Sequence, residues 1–268
     1  MTGIPIFDSL AHPTLDGNWI MPRYSNCAHL DNLLEQMKTA DIHWGFAVGM
    51  DGIGSYSEDN FIKEINKKGN GSLFPIAFFP LLHKSHSELI KHLIAIKSKG
   101  YVGIKLHPRI GHFLLDDESL PFVIDKANEL GLTVLLCTYF YSNRLSTKTN
   151  NIDILGDMLL HVNDSSKVIL LHGGGVRLLD TMEIVRAFPN TLLDLSLTLC
   201  KYAGSSLDID IQFLFQKFDR RICIGSDYPE ISLSSLRERF EYFSQNTTQE
   251  KAENIAFKNI LSFTGLNV

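Results

Sequence analysis

Short apolar runs and longer amphipathic segments alternate along the whole chain. The apolar runs are bounded by turn residues, a pattern typical of strands that are buried on both faces. They predict eight strands, at Ile4–Leu10, Ile42–Val48, Leu73–Phe79, Tyr101–Leu106, Leu132–Cys137, Val168–Leu171, Leu192–Leu197 and Arg221–Gly225. The amphipathic segments predict helices at Leu30–Thr39, Glu58–Lys67, Ser87–Lys99, Ser119–Leu130, Ile152–Val162, Leu178–Phe188, Leu207–Phe218, Leu233–Phe243 and Gln249–Phe263.

The alternation of strands and helices predicts a parallel sheet with right-handed crossovers. Eight such repeats favour a sheet that closes on itself over an open sheet. The length of 268 residues is also the usual size of a (β/α)8 TIM barrel. Because no linker, repeat or low-complexity tract interrupts the pattern, we expect an α/β fold with a single domain over residues 1–268.

Polar side chains follow the predicted strands repeatedly and at the same end. They are Asp8, His12, Lys105, His107, Cys137, His172, Asp194, Ser196 and Asp227. Each would cost several kcal/mol if it were buried without a partner. Enzymes with a β/α barrel build their active sites at the carboxyl ends of the strands. The pattern therefore predicts a shared, partly hydrated site, and the long loops after the fourth and fifth strands add Arg109 and Arg144 as candidate substrate-binding groups.

Composition excludes several classes of partner. The net charge of −5 and the pI near 6.0 give no electrostatic reason to expect nucleic acid or an anionic membrane. No apolar run approaches the length of about 20 residues that spans a bilayer. The N-terminus has no basic segment followed by an apolar one, so we expect no signal peptide and a cytoplasmic location. The scattered cysteines at positions 27, 137, 200 and 223 indicate reduced thiols.

Four motifs, in this order along the chain, resemble the amidohydrolase superfamily. They are Asp8-x-x-x-His12-Pro13, Gly103-Ile104-Lys105-Leu106-His107-Pro108, Leu171-His172-Gly173-Gly174 and Gly225-Ser226-Asp227-Tyr228-Pro229. The resemblance is greatest to the amidohydrolase-related (amidohydrolase 2) branch, whose closing helix is similar to the segment 252–263 of this chain. The match spans the whole sequence, and Gly225–Pro229 is its most specific part.

The resemblance implies a metal held by a His-x-His pair on the first strand, a His after the fifth and an Asp after the eighth, with a further His after the sixth. Here the first of these positions is Leu10 and the strand-five position is Cys137. Leucine cannot bind a metal, whereas a cysteine thiolate can. If a metal is bound, its ligands would be His12, Cys137, His172 and Asp227. We instead expect Cys137 to pack as a small buried side chain, and zinc to be absent or well below one equivalent.

The first functional hypothesis is a hydrolase of a small carbonyl compound such as a lactone, ester or amide. Asp227 would be the general base toward a water, and His172 and Lys105 would stabilise the oxyanion. His12 would orient the water or bind a metal. His107 and the two arginines, Arg109 and Arg144, would bind the substrate, the arginines by clamping a carboxylate.

Four alternatives remain open at this stage. Decarboxylases are known in the same branch, and some members resemble enzymes that work without a bound metal. The replacements at Leu10 and Cys137 also suit a barrel that only binds a small polar metabolite. Barrels of this branch are often dimers, so a homodimer is an alternative to a monomer.

Overall fold

The computed structural model describes residues 3–81, 84–140 and 151–268. Its strands form one eight-stranded sheet in chain order. They are β1 (Ile6–Ala11), β2 (Ile42–Val48), β3 (Leu73–Phe78), β4 (Gly103–Leu106), β5 (Thr133–Cys137), β6 (Val168–Leu171), β7 (Thr191–Asp194) and β8 (Ile222–Cys223). The predicted order of strands is confirmed.

Helices follow the strands as the amphipathic pattern predicts. They are α1 (Leu30–Thr39), α2 (Glu58–Gly69), α3 (His86–Lys99), α4 (Ser119–Glu129), α5 (Asn151–Leu159), α6 (Leu178–Ala187), α7 (Thr198–Lys201), α8 (Leu207–Lys217), α9 (Leu233–Ser244), α10 (Gln249–Glu253) and α11 (Asn259–Thr264). Helix α3 buries Leu89, Leu93 and Ile96, the stripe expected from its sequence. Ser85 caps its first turn and Gly100, in the left-handed conformation, ends it.

The sheet closes between its last and first strands. Ser9 N donates to the Ile224 carbonyl at 3.0 Å, and Ala11 and Tyr228 form a parallel bridge. Eight parallel strands that alternate with helices and pair in chain order are the (β/α)8 TIM barrel, so the predicted fold class and single domain are confirmed. No helix in the described ranges is long and apolar enough to cross a membrane.

The contacts of the chain group into two compact units. The first unit contains Met1–Pro75 and Asp194–Val268, and the second contains Ile76–Leu193. In the core of the first unit, the Phe7 ring lies edge-on to Phe46, with centroids 5.0 Å apart. The second unit buries the apolar faces of α3 and α4 and the side chains of β4 to β6.

Several boundaries differ from the sequence prediction. The eighth strand is only two residues long, and β7 ends at Asp194 rather than at Leu197. Leu197 has a φ of 61°, which is incompatible with a strand, and begins the short helix α7 that the sequence did not predict. The predicted last helix is interrupted between α10 and α11 by a π turn at Asn254–Lys258. Element ends fray and commonly differ by one or two residues, whereas the turn at Leu197 is set by its own backbone conformation.

Candidate functional site

Two predicted site residues of the first unit, His12 and Asp227, lie close together. The His12 Nε2 atom is 3.4 Å from Asp227 Oδ1, and both residues are buried. Backbone hydrogen bonds between the ends of β1 and β8 place them, because Asp227 N donates to the Leu10 carbonyl and His12 N donates to the Tyr228 carbonyl, each at 2.8 Å. Asp227 has a φ of 61°, a conformation that Asp tolerates better than most residues.

The orientation of the His12 ring is defined by a second contact. Its Nδ1 atom lies 3.0 Å from the Val48 carbonyl oxygen, which can only accept a hydrogen bond. The Nδ1 atom therefore carries a proton, and Nε2 is the ring atom that faces Asp227. On its other side, the ring stacks on Trp19, with centroids 5.5 Å apart and planes 25° apart. His12 is thus held by three neighbours in one orientation.

A buried acid, Asp8, supports the turn that carries Asp227. Asp8 Oδ1 accepts hydrogen bonds from Ser226 N at 2.8 Å and Leu10 N at 3.1 Å, and Oδ2 accepts one from Ser226 Oγ at 2.6 Å. Burial raises the pKa of Asp8 to about 7, although the hydrogen bonds from Ser226 and Leu10 lower it. Asp8 is therefore a structural support at the β1–β8 junction, and it titrates near neutrality.

Three predicted site residues of the second unit meet around a thiol. Cys137, at the end of β5, is only 2% exposed and forms side-chain hydrogen bonds with His107 and His172. Arg109 Nη2 lies 3.9 Å from the Cys137 Sγ atom. The expectation that Cys137 packs as a simple apolar side chain is therefore wrong in one respect, because its sulfur atom faces two imidazole rings and a guanidinium group.

The electrostatics of this cluster favour a thiolate. Burial raises the pKa of the Cys137 thiol, but the charges of His107 and His172 and their hydrogen bonds outweigh it and hold the pKa well below its usual value. Burial lowers the pKa of His107, against the opposing effect of Cys137. His107 Nδ1 accepts from Ile110 N at 3.3 Å. In its neutral form, the His107 ring therefore carries its proton on Nε2.

The glycine-rich turn after β6 positions His172. Thr138 Oγ1 donates to the Leu171 carbonyl at 2.5 Å and accepts from Gly174 N at 3.0 Å, which fastens the turn to β5. A Cβ atom at Gly174 would lie 2.1 Å from Thr181 Oγ1, and Gly174 has a φ of 70°, so only glycine suits this position. His172 itself has a φ of 67°. The Leu171–Gly174 motif thus turns His172 toward Cys137.

The remaining predicted residues of the second unit have mixed positions. Lys105 is almost completely buried on β4, and its charge contributes to the lowered pKa of His107. Arg109 is half-buried and lies over the Tyr139 ring, 5.3 Å from its centroid. Arg144 lies outside the described residues. The substrate-binding roles of His107, Arg109 and Arg144 and the catalytic role of Lys105 stay predictions.

The donor groups do not fit a metal centre of the expected kind. Leu10 is fully buried and supplies no ligand. His12 Nδ1 donates to the Val48 carbonyl, which leaves Nε2 as the only nitrogen of this ring that could bind a metal. Within the described residues, no group of three or more His, Cys, Asp or Glu side chains is arranged to hold a metal ion. A catalytic zinc needs three protein ligands. The zinc content of the purified protein stays a prediction.

Sequence reasoning missed three features of the site. The partners of Asp8 and Asp194 were not predicted: Ser226 bonds to Asp8, and the hydroxyls of Ser9 and Ser196 bond to Asp194. The stacking of Trp19 on His12 was also missed, although the first long loop carries this aromatic residue. For the serine contacts, the only signal in the sequence was that serines stand near the strand-end acids.

Comparison with known proteins extends these observations. A sequence profile of the amidohydrolase family, in its amidohydrolase 2 form, matches residues 36–259. No curated protein matches the chain. Among solved structures, an uncharacterised TIM-barrel protein from Bordetella bronchiseptica is similar with a TM-score of 0.79 and 18% identity, and the match covers 98% of this chain and 100% of that one.

Two further structures have assigned or inferred activities. A probable 2-pyrone-4,6-dicarboxylic acid hydrolase from Acinetobacter baumannii, solved with citric acid bound, has a TM-score of 0.69 and 17% identity over 97% of this chain and 99% of that one. A dihydroxybenzoic acid decarboxylase from Polaromonas was solved with manganese and an inhibitor. It has a TM-score of 0.69 and 14% identity over 100% of this chain and 98% of that one. Identities this low support the fold alone.

The sequence profile covers most of the chain, and its span includes the strand-end residues from Lys105 to Asp227. The solved structures similar to this chain include a probable hydrolase and a decarboxylase. The sequence profile shows that the chain belongs to the amidohydrolase 2 family of amidohydrolases.

Proposed function

We propose that this chain is a hydrolase of a small carbonyl compound, a lactone, ester or amide, in which Asp227 acts as general base toward a water molecule. The observation that carries the proposal is the buried pair of His12 and Asp227, with 3.4 Å between Nε2 and Oδ1. The family of the chain, and a structural neighbour described as a probable hydrolase, support this reaction class.

The chemistry of the pair follows from its hydrogen bonds. The Nδ1 proton of His12 is donated to the Val48 carbonyl, so Nε2 of the neutral ring is an acceptor. The Asp227 carboxylate is also an acceptor, so the pair can hold one proton between Nε2 and Oδ1. The unprotonated pair can take a proton from an attacking water, and the protonated pair can return it to the leaving group. Both steps of a hydrolysis are then served by one dyad.

A second candidate, decarboxylation, is supported by the same pair. Loss of CO2 leaves a carbanion that must be protonated, and a dyad that stores one proton can supply it. A structural neighbour described as a dihydroxybenzoic acid decarboxylase favours keeping this candidate. A barrel that binds a metabolite without turnover is the third reading, and the experiment below separates all three.

The test is a panel of lactones, esters, amides and carboxylated aromatic acids, assayed with the wild-type protein and with Asp227→Asn. We expect turnover of at least one compound, and a loss of about 10²- to 10⁴-fold in the variant, the usual contribution of a general base. Asp219→Asn is the matched control. Asp219 is also buried in the first unit, but it accepts from Asn254 Nδ2 at 2.9 Å and lies 3.5 Å from Lys251 Nζ.

The products decide between the candidates. Hydrolysis incorporates ¹⁸O from labelled water into the new carboxyl group, whereas decarboxylation releases CO2 and places solvent deuterium on the vacated carbon. Turnover that survives unchanged in Asp227→Asn would contradict the role of Asp227. Saturable binding across the panel without any turnover would favour the binding protein.

A further inference from the structure

The loops after β1 and β2 enclose a pocket of the first unit that the acid–base chemistry above does not use. Its walls are apolar or aromatic side chains, most of them buried: Trp19, Val48, Met50, Ile53, Tyr56 and Phe61. Val48 is the last residue of β2, so the pocket lies at the carboxyl end of this strand. Apolar pockets with a few polar groups are the usual sites for small ligands.

His12 is one of the polar residues that line the pocket, together with Thr14 and Tyr56. The His12 ring stacks on Trp19 and directs its Nε2 atom to Asp227. A group that enters the pocket therefore contacts the ring that forms half of the acid–base pair. The remainder of such a molecule lies next to His12, where a reacting bond would have to be.

Anchored aromatic side chains fix the walls. Trp19 Nε1 donates to Glu230 Oε1 at 3.4 Å. The Tyr56 ring lies against the backbone of Gly49, where a Cβ atom would come within 2.1 Å of the ring, and it meets Phe61 edge-on at 5.4 Å between centroids. Because these contacts hold the walls in place, the pocket is pre-formed and selects by size.

The free space at its centre is about that of one water molecule, which is also close to the size of a methyl group. We propose that this pocket is a specificity subsite that binds a methyl-sized apolar substituent of the substrate, beside the carbonyl group on which His12 and Asp227 act. This inference rests on the proposed function and deepens it. Longer alkyl chains are excluded by the anchored rings.

The experiment uses Trp19 as a reporter. The chain has two tryptophans, Trp19 and Trp44, so Trp44→Phe leaves the pocket tryptophan alone. The probes are γ-butyrolactone, γ-valerolactone and γ-octalactone, which differ only in carrying no substituent, a methyl group or a butyl group. Trp19 fluorescence measures binding, and proton release in a pH-stat measures hydrolysis separately.

We expect the methyl lactone to bind about four- to tenfold tighter than the unsubstituted one, and the butyl lactone to bind at least about tenfold weaker than the methyl one. Met50→Ala, which enlarges the pocket, should reverse the order of the methyl and butyl lactones. Ile53→Ala is a second enlargement, in case one variant fails to fold. Met37→Ala removes a methionine that is equally buried on α1, away from the pocket, and should keep the original order.

The possible outcomes separate the subsite from the catalytic proposal. Size-ordered binding that the enlarging variants reverse, without hydrolysis of any lactone, would support the subsite and exclude these lactones as substrates of the proposed hydrolase. Hydrolysis of the lactones without a dependence of binding on substituent size would contradict the subsite and leave the hydrolase proposal intact. A binding order that neither Met50→Ala nor Ile53→Ala changes would have the same meaning. Absence of a Trp19 response to all three lactones would also overturn the subsite.

Discussion

Replacement of Asp8 by asparagine should remove a large pH dependence of stability. Asp8 is 2% exposed, and its pKa is raised from an ordinary value of 3.8 to about 7, mainly by burial, with a smaller contribution from the charge of Asp194. The folded protein therefore holds a proton on Asp8 over a pH range in which the unfolded chain has released it. The free energy of unfolding must fall as the pH rises through this range.

The magnitude follows from the two pKa values. Each pKa unit is worth about 1.4 kcal/mol, so Asp8 stabilises the fold fully below pH 3.8 and has lost about 4 kcal/mol of stability once the pH exceeds about 7. About 3 kcal/mol of this loss falls between pH 5 and pH 8.

The local hydrogen bonds accept an asparagine. Its Oδ1 atom can keep the bonds from Ser226 N and Leu10 N, and its Nδ2 atom can donate to Ser226 Oγ. The Ser226 hydroxyl is then free to donate to the Leu10 carbonyl, 3.2 Å away. Asparagine therefore keeps a hydrogen bond at each of the three contacts that Asp8 makes with Ser226 and Leu10.

The assay is urea unfolding at pH 5 and pH 8, compared between the wild type and Asp8→Asn. The free energy of unfolding of the variant, measured relative to that of the wild type, should rise by about 3 kcal/mol from pH 5 to pH 8. The m values of the two proteins should be equal. Asp116→Asn, an exposed position, controls for the loss of one acidic group. A difference between variant and wild type that stays constant or shrinks toward pH 8 would refute the reasoning.

Three further predictions concern other parts of the molecule. Because the pKa of Cys137 is held low, methyl methanethiosulfonate should label it at pH 6, whereas Cys223, whose pKa burial raises, should stay unlabelled; equal labelling by mass spectrometry would contradict this. Zinc measured by elemental analysis after zinc-supplemented growth should be well below one equivalent, and stoichiometric zinc lost in both Cys137→Ser and His12→Ala would contradict it. Ser232→Ala should lower the free energy of unfolding by about 1 kcal/mol, because the Ser232 side chain caps α9 by accepting from Ser235 N at 3.1 Å. Ser232→Asp should retain most of the stability that this cap provides.

The contacts of the Cys137 thiol show which part of the site could not be predicted from the sequence. The sequence placed Cys137, His107 and His172 after three different strands, and barrel geometry predicted that they share one end. It could not say that both rings bond to the sulfur atom, because this depends on the turn that Thr138 and Gly174 hold after β6. The expectation of a purely apolar Cys137 came from the average behaviour of buried cysteines, which carries no information about neighbours.

The sequence by itself determined the elements and their order, because the periods of buried strands and amphipathic helices are local properties that tertiary contacts rarely reverse. It also determined the family and placed Asp227 at the end of the last strand. Only the tertiary structure decided which groups touch: His12 with Asp227 and Val48, and Asp8 with Ser226, 218 positions away. Such contacts depend on how β8 closes against β1, and closure is set by the packing of the whole sheet rather than by any segment of it.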